Sequence, residues 1–285
     1  MMEHVSDLAT WRRYANEQRA SGRGVALVPT MGALHEGHAA LFRAAKASGD
    51  VVIATLFVNP RQFNSGDDLN SYPRTPEDDA LIAKENGVDC LIEPTLESMW
   101  PDYPEATSTT VSVHGIGDIL EGADRPGHFD GVASVVAKLF ILTGPCRAFF
   151  GEKDFQQLAV VRQMVRDLAL EVQVVGCPIV RDPDGLAVSS RNRLLSPEAR
   201  VRALALSRAL ASVTDPDTAS NHRRRLREVL DGAGVQTSYA EIVDPVSFAL
   251  AGDDETGARR ALVAGVVDGV RLIDNAPVTL VAAGS

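Results

Sequence analysis

Two histidines three residues apart, His35 and His38, lie in the run PTMGALHEGH at residues 29–38, directly after the apolar stretch GVALVP at 24–29. The apolar stretch reads as a buried strand, and a helix is expected over 37–48. In an open sheet of alternating strands and helices, ligands bind beyond the carboxyl ends of the strands, where this loop must run. The helix it enters offers unpaired N–H groups and the positive end of a dipole, and both attract phosphate. Gly32 and Gly37 remove side chains where a nucleotide backbone has to come close. At a helix start, side chains three apart can reach one ligand together. Two imidazoles there can donate hydrogen bonds to phosphate oxygens and steady charge on a departing pyrophosphate. Taken alone, H-x-G-H also describes a turn with two exposed histidines; its place at the first strand–helix junction favours phosphate chemistry.

Four further groups carry chemistry. Asn59 and Gln62 follow the second apolar run, VVIATLFV at 51–58, and so stand on the same edge of the sheet. Uncharged amides orient a small acid without pairing its nucleophilic oxygen too strongly; loop capping is the other use of such residues. Lys153 and Asp154 follow an expected strand at 147–151, where a lysine can set a compact ammonium against phosphates. A surface Glu–Lys–Asp turn has the same composition. Ser189, Ser190 and Arg191 offer two hydroxyls and a guanidinium fork to an anion, or form a polar turn between domains. Asp78 and Asp79 open an expected helix after Pro76, where they can hold Mg²⁺ with substrate phosphates or simply favour the helix dipole.

The elements that must position these residues alternate. Strands are expected at 24–29, 51–58, 89–92, 109–113, 147–151 and 171–175. Helices are expected from near Asp7 and over 37–48, 77–85, 132–142 and 155–168. Continuous apolar strands alternating with helices imply a parallel α/β sheet. Beyond residue 178 the pattern changes to helices at 197–210 and 219–230, then short strands at 237–243, 260–266, 270–273 and 278–281. The expected fold class is therefore α/β. A Rossmann-like domain over 1–178 precedes a smaller α+β domain over 179–285, with the active site in the cleft and the second domain closing as a lid.

The chain has 285 residues, is 45% hydrophobic and carries a formal net charge of −10. That balance argues against a nucleic-acid surface, which needs a basic face. The basic run 222–227 reads as a solvated helix face. Cys90, Cys146 and Cys177 match no metal or redox spacing and read as buried free thiols in a reducing cytoplasm. No run approaches the roughly 18 apolar residues that span a bilayer, and residues 1–11 lack an apolar signal core.

The run 29–38 resembles the HIGH-type motif of the nucleotidylyl-transferase superfamily, and its companions resemble the pantothenate synthetase family in order and spacing. These are FVNPRQF at 57–63, YPRT at 72–75, RPGHFDGV at 125–132, FGEKDFQQ at 150–157, SSRNR at 189–193 and LVAGVVDGVRLIDN at 262–275. The resemblance implies ATP, pantoate and β-alanine as substrates, Mg²⁺ with the ATP, a pantoyl-adenylate intermediate and a homodimer. It places His35, His38 and Lys153 at the reacting phosphates. Met31, Gly32, Gly37, Gly151, Glu152, Asp154, Val180, Val188, Ser189, Ser190 and Arg191 go to the nucleotide, and Asn59, Gln62 and Gln157 to pantoate and β-alanine. Asp78 and Asp79 are its metal pair, and His128 reads as structural or loop-closing. Val188 stands where the family has Met, which puts a side-chain contact there in question but not a backbone one. Two rival readings remain: an adenylyltransferase that hands AMP to a phosphorylated acceptor, for which Arg61 is a candidate cation, and a non-catalytic nucleotide-binding module.

Overall fold

The apolar runs VALVPT and VVIATL become the two central strands of a six-stranded parallel sheet in a computed structural model that describes residues 2–282. The strands are β1 (Glu3–Val5), β2 (Val25–Thr30), β3 (Val51–Leu56), β4 (Cys90–Ile92), β5 (Cys146–Gly151) and β6 (Val172–Cys177), in the spatial order β1-β4-β3-β2-β5-β6. Residues 25–28 of β2 are all buried, so both faces of the sheet are covered, and this is why these strands show no polar alternation. The chain winds outward from β2 to β3 and β4, then returns to place β5 on the other side of β2. The carboxyl ends of β2 and β5 therefore flank a topological switch point, the place where open parallel sheets leave a crevice.

Helices α1 (Leu8–Ala20), α2 (Glu36–Ala47), α3 (Gly66–Ser71), α4 (Pro76–Glu85), α5 (Leu96–Met99), α6 (Glu121–Asp124), α7 (His128–Thr143) and α8 (Phe155–Asp167) connect or cover these strands. The carboxylate of Asp7 accepts the Thr10 N–H at 2.8 Å and caps α1, which buries Trp11 and Tyr14. From α2, Phe42 and Ala45 join Ala26, Val28, Val52 and Leu91 in one apolar cluster.

A second group of elements comprises α9 (Pro197–Ala203), α10 (Ala205–Ala211), α11 (Ala219–Gly232) and a three-stranded antiparallel sheet of β7 (Gln236–Val243), β8 (Gly257–Val267) and β9 (Val270–Leu280). Its core includes Leu206, Leu210, Leu226, Leu230, Ile242, Val263 and Leu272. Asp268 and Gly269, with φ of 48° and 80°, close the β8–β9 hairpin in the positive-φ geometry that two-residue hairpin loops favour. The described chain falls into two compact units. One runs to Glu152 and resumes over 156–178; the other takes residues 153–155 with the chain from Ile179 onward.

The structure departs from the sequence expectations at several places, and the short helices α3, α5 and α6 lie where no element was expected. Residues 109–113 form no strand: Val111 donates its N–H to Ser134 Oγ at 2.9 Å, and Thr109 and Thr110 are exposed. The edge strand β1, three residues long, is too short to show a period. The expected helix over 197–210 is two helices meeting at Leu204, whose torsions of −59° and −15° belong to a tightened turn. The strands expected at 270–273 and 278–281 are one, because Pro277 lies on an edge strand of its sheet, where a missing N–H is tolerated.

Cys90 and Cys177 are buried but Cys146 is only half-buried; all three are free, and burial pushes the thiols of Cys90 and Cys146 up to about 12. The basic run is engaged in internal pairs: Arg223 and Arg227 with Glu241, Arg224 with Glu228 and Arg225 with Asp217, while His222 is buried. Among the described residues, no helix is long and apolar enough to cross a membrane.

Candidate active site

The loop after β2 turns sharply before α2. Gly32 has φ +83° and Ala33 has φ +50°, so two successive residues occupy the left-handed region. The buried carboxylate of Asp79, from the first turn of α4, holds this turn. It accepts the Ala33 N–H at 2.9 Å, the Leu34 N–H at 2.7 Å and the Thr75 hydroxyl at 3.0 Å. A Cβ on Gly32 would stand 2.9 Å from Asp79 Oδ2, so glycine is required by both torsion and space. Both oxygens of Asp79 accept hydrogen bonds from the loop, while Asp78, its neighbour in the expected metal pair, is exposed. Among the described residues, no three of His, Cys, Asp and Glu gather into an all-protein metal cage, whereas Mg²⁺ that arrives with ATP needs only one or two carboxylates beside the phosphates.

His35 is the N-cap of α2, and His38 occupies its third position. The two form a reciprocal capping box: Gly37 N–H donates to His35 Nδ1 at 3.1 Å, and His35 N–H donates to His38 Nδ1 at 3.3 Å. A backbone N–H can only donate, so both Nδ1 atoms are acceptors, and in each neutral ring the proton sits on Nε2. The rings lie 4.1 Å apart between centroids. A pair of imidazole N–H donors is thereby set by the backbone at the positive end of a helix dipole.

After β3, a short turn over Pro60–Gln62 presents two amides. Asn59 is 1% exposed and its side chain is fully engaged: Oδ1 accepts the Trp100 indole N–H at 3.0 Å, and Nδ2 donates to Gln62 Oε1 at 3.0 Å and to the Gly131 carbonyl at 3.1 Å. The remaining Gln62 donor points to Met31 Sδ at 3.0 Å, a weak acceptor. From α7, His128 Nδ1 donates to the Gln62 carbonyl at 2.8 Å. Its Nε2 accepts from Arg125 at 3.1 Å, and this fixes the tautomer because a guanidinium only donates. A Cβ on Gly131 would fall 2.1 Å from the Arg61 carbonyl, so glycine lets α7 approach this turn. His128 thus closes a loop, as its motif implied. Nothing in the sequence marked Trp100, which carries no motif of its own.

The two glutamines of DFQQ separate in function. Gln156 is buried and its amide is engaged with Ile116 O, Ile119 O and the Glu121 N–H. Gln157 is half-buried, and its side chain makes no hydrogen bond among the described residues. Gly151 ends β5, and Glu152 begins the following turn.

In the second unit, Lys153 is 19% exposed at its side chain, with its ammonium 3.7 Å from Asp154. Val180 and Val188 face each other across a short hairpin, Val188 N–H donating to the Val180 carbonyl at 2.9 Å. The Val188 amide is therefore placed by backbone pairing, whatever its side chain. Ser189 caps the turn Ser190–Leu194, which carries Arg191.

Comparison with known proteins decides among the readings. Residues 2–277 match the family model described as pantoate–β-alanine ligase. The chain belongs to that family. It is 49% identical over 276 residues to the pantothenate synthetase of Cereibacter sphaeroides, covering 95% of this chain and 98% of that one. Against the pantothenate synthetase of Paracoccus denitrificans the identity is 49% over 282 residues, with 97% and 98% covered. The crystal structure of pantothenate synthetase from Thermus thermophilus matches with a TM-score of 0.88 at 45% identity, covering 96% of this chain and 99% of the other. Pantoate–β-alanine ligase from Francisella tularensis, solved with beta-gamma ATP and β-alanine, matches with a TM-score of 0.82 at 32% identity and 97% coverage of each. Membership in the pantoate–β-alanine ligase family makes the chain an enzyme that joins pantoate to β-alanine. The adenylyltransferase and non-catalytic readings fall away.

Proposed function

We propose that the chain works in two steps on one active centre, through an enzyme-bound pantoyl-adenylate. In the first, a pantoate carboxylate oxygen attacks the α-phosphorus of ATP, and the bond to pyrophosphate breaks. In the second, the free amine of β-alanine attacks the acyl carbon, the bond to AMP breaks, and the amine proton passes to solvent. The observation that carries this reading is the capping box, which turns Nε2–H of both His35 and His38 into donors at a helix N-terminus. Those donors and the Lys153 ammonium neutralise charge on the phosphates. Ser189, Ser190 and Arg191 hold further phosphate oxygens, and Met31, Gly32, Gly37, Gly151, Glu152, Asp154, Val180 and Val188 frame the nucleotide.

Gln62 and Gln157 meet the acid, and Asn59, whose side chain is engaged with Trp100, Gly131 and Gln62, serves that group by holding Gln62. The Gln62 N–H that points at a thioether gains a stronger partner in a carboxylate or hydroxyl oxygen, and this supports pantoate displacing Met31 Sδ. Mg²⁺ enters with ATP in this reading. Asp79 is engaged with the histidine loop, so Asp78 is the member of that pair whose carboxylate is left to meet the metal. The family resemblance also supports a homodimer in the cytoplasm.

The test is product stoichiometry. Purified chain given ATP, pantoate and β-alanine should yield pantothenate, AMP and pyrophosphate in equal amounts; formation of ADP and phosphate instead would overturn the adenylate route.

A further inference from the structure

Lys153 follows β5 in sequence, yet residues 153–155 pack with the second unit. The last strand of that unit accounts for this. Asn275, on β9 and 2% exposed, donates its Nδ2–H to the Lys153 carbonyl at 2.9 Å, across 122 positions of sequence. Its amide cannot be turned the other way. Oδ1 accepts the Arg260 Nε–H at 2.7 Å, and a guanidinium offers only donors. The Arg260 guanidinium also lies 4.3 Å from the centre of the Phe155 ring, which stacks on the buried Phe248 ring at 5.8 Å. The neighbouring Asp274 is held by both terminal nitrogens of Arg181, at 2.7 and 3.0 Å, and accepts the Asn275 N–H at 2.8 Å. Every link fixes the next, and the series ends on the backbone of Lys153.

We propose that Asn275, held by Arg260, is a positioning residue for Lys153, setting the backbone from which its ammonium meets the ATP phosphates. This rests on the role given to Lys153 above. The Lys153 side chain is only 19% exposed, with its ammonium 3.7 Å from Asp154, so it has limited room to re-aim when its backbone shifts. Misplacement by about 1 Å is enough to cost up to about a hundredfold in rate.

Asn275→Asp separates positioning from packing, because the new side chain keeps an acceptor for Arg260 but turns an oxygen toward the Lys153 carbonyl. The expected result is kcat, and pantoate-dependent pyrophosphate exchange with it, lowered about tenfold to a hundredfold, with the KM for β-alanine within about threefold of the parent. The melting temperature should stay near the parental value. Asn275→Ala, which introduces no charge, should lower kcat in the same way and serves if the first variant does not fold. In a Lys153→Ala background, Asn275→Asp should change kcat no further. Parental kcat in both Asn275 variants, with Lys153→Ala impaired, overturns this inference and leaves the role of Lys153 standing. So does a full additional loss in the double variant. Parental kcat in Lys153→Ala removes that role and the inference with it.

Discussion

His35 and His38 do two things with one ring each. Nδ1 closes the capping box that starts α2, and the proton left on Nε2 is the donor that the proposed function assigns to phosphate. An alanine at His38 would remove both, so its effect on rate would be mixed with a lost cap of about 1 kcal/mol. Glutamine at this third helical position can still accept the capping N–H. His38→Gln should therefore melt within a few degrees of the parent while kcat falls by about 10²–10³-fold, the cost of a lost transition-state donor. A kcat near parental would take His38 out of the reaction. Gln62 is held differently, its carbonyl by His128 and its side chain by Asn59, and the proposed function gives it the acid. Gln62→Ala should weaken pantoate by about 1–3 kcal/mol, read as a raised KM, with the KM for ATP little changed. Equal weakening of both substrates would show that the change had disturbed the fold instead.

At the scale of elements, α4 is tied to the histidine loop through Asp79, whose oxygens take two backbone N–H groups of a turn with two positive φ values. Asp79→Asn puts an amide donor against one of those N–H groups. It should lower thermal stability by about 1.5–3 kcal/mol, the usual worth of hydrogen bonds to a charged group, and lower kcat with it. The Mg²⁺ concentration giving half-maximal rate should not move if Asp79 acts through the loop; a large rise in that concentration would make Asp79 a metal ligand. The acidic pair was visible in the sequence, but its partners were not. Nothing in PEDD says that one carboxylate will point back to residues 33 and 34, because contacts 45 and 46 positions away have no local period. Elements with a strong period or a continuous apolar run were legible: β2, β3, α2, α4, α7 and α8 all appear within a few residues of where their patterns put them. The misses share a cause. Thr109–Val113 has strand-forming residues but no neighbouring strand to pair with, and β9 contains a proline that only an edge position excuses. Trp100 and Asn275 reach the site regions by tertiary contact alone.

Over the whole molecule, a chain of net charge −10 handles two anions, ATP and pantoate, in the proposed scheme. The net charge does not favour anions at long range, so the scheme relies on local donors: the two imidazoles, the Gln62 amide, Lys153 and the turn carrying Arg191. Each has an anchoring contact in the fold, and the central claim is that together they build an acyl-adenylate before the amine arrives. Family membership gives the overall ligation, not this order of events. The most direct measurement is isotope exchange between pyrophosphate and ATP with pantoate present and β-alanine absent. The account predicts label entering ATP at a rate that depends on pantoate and needs no amine. Label entering ATP only after β-alanine is added would contradict it.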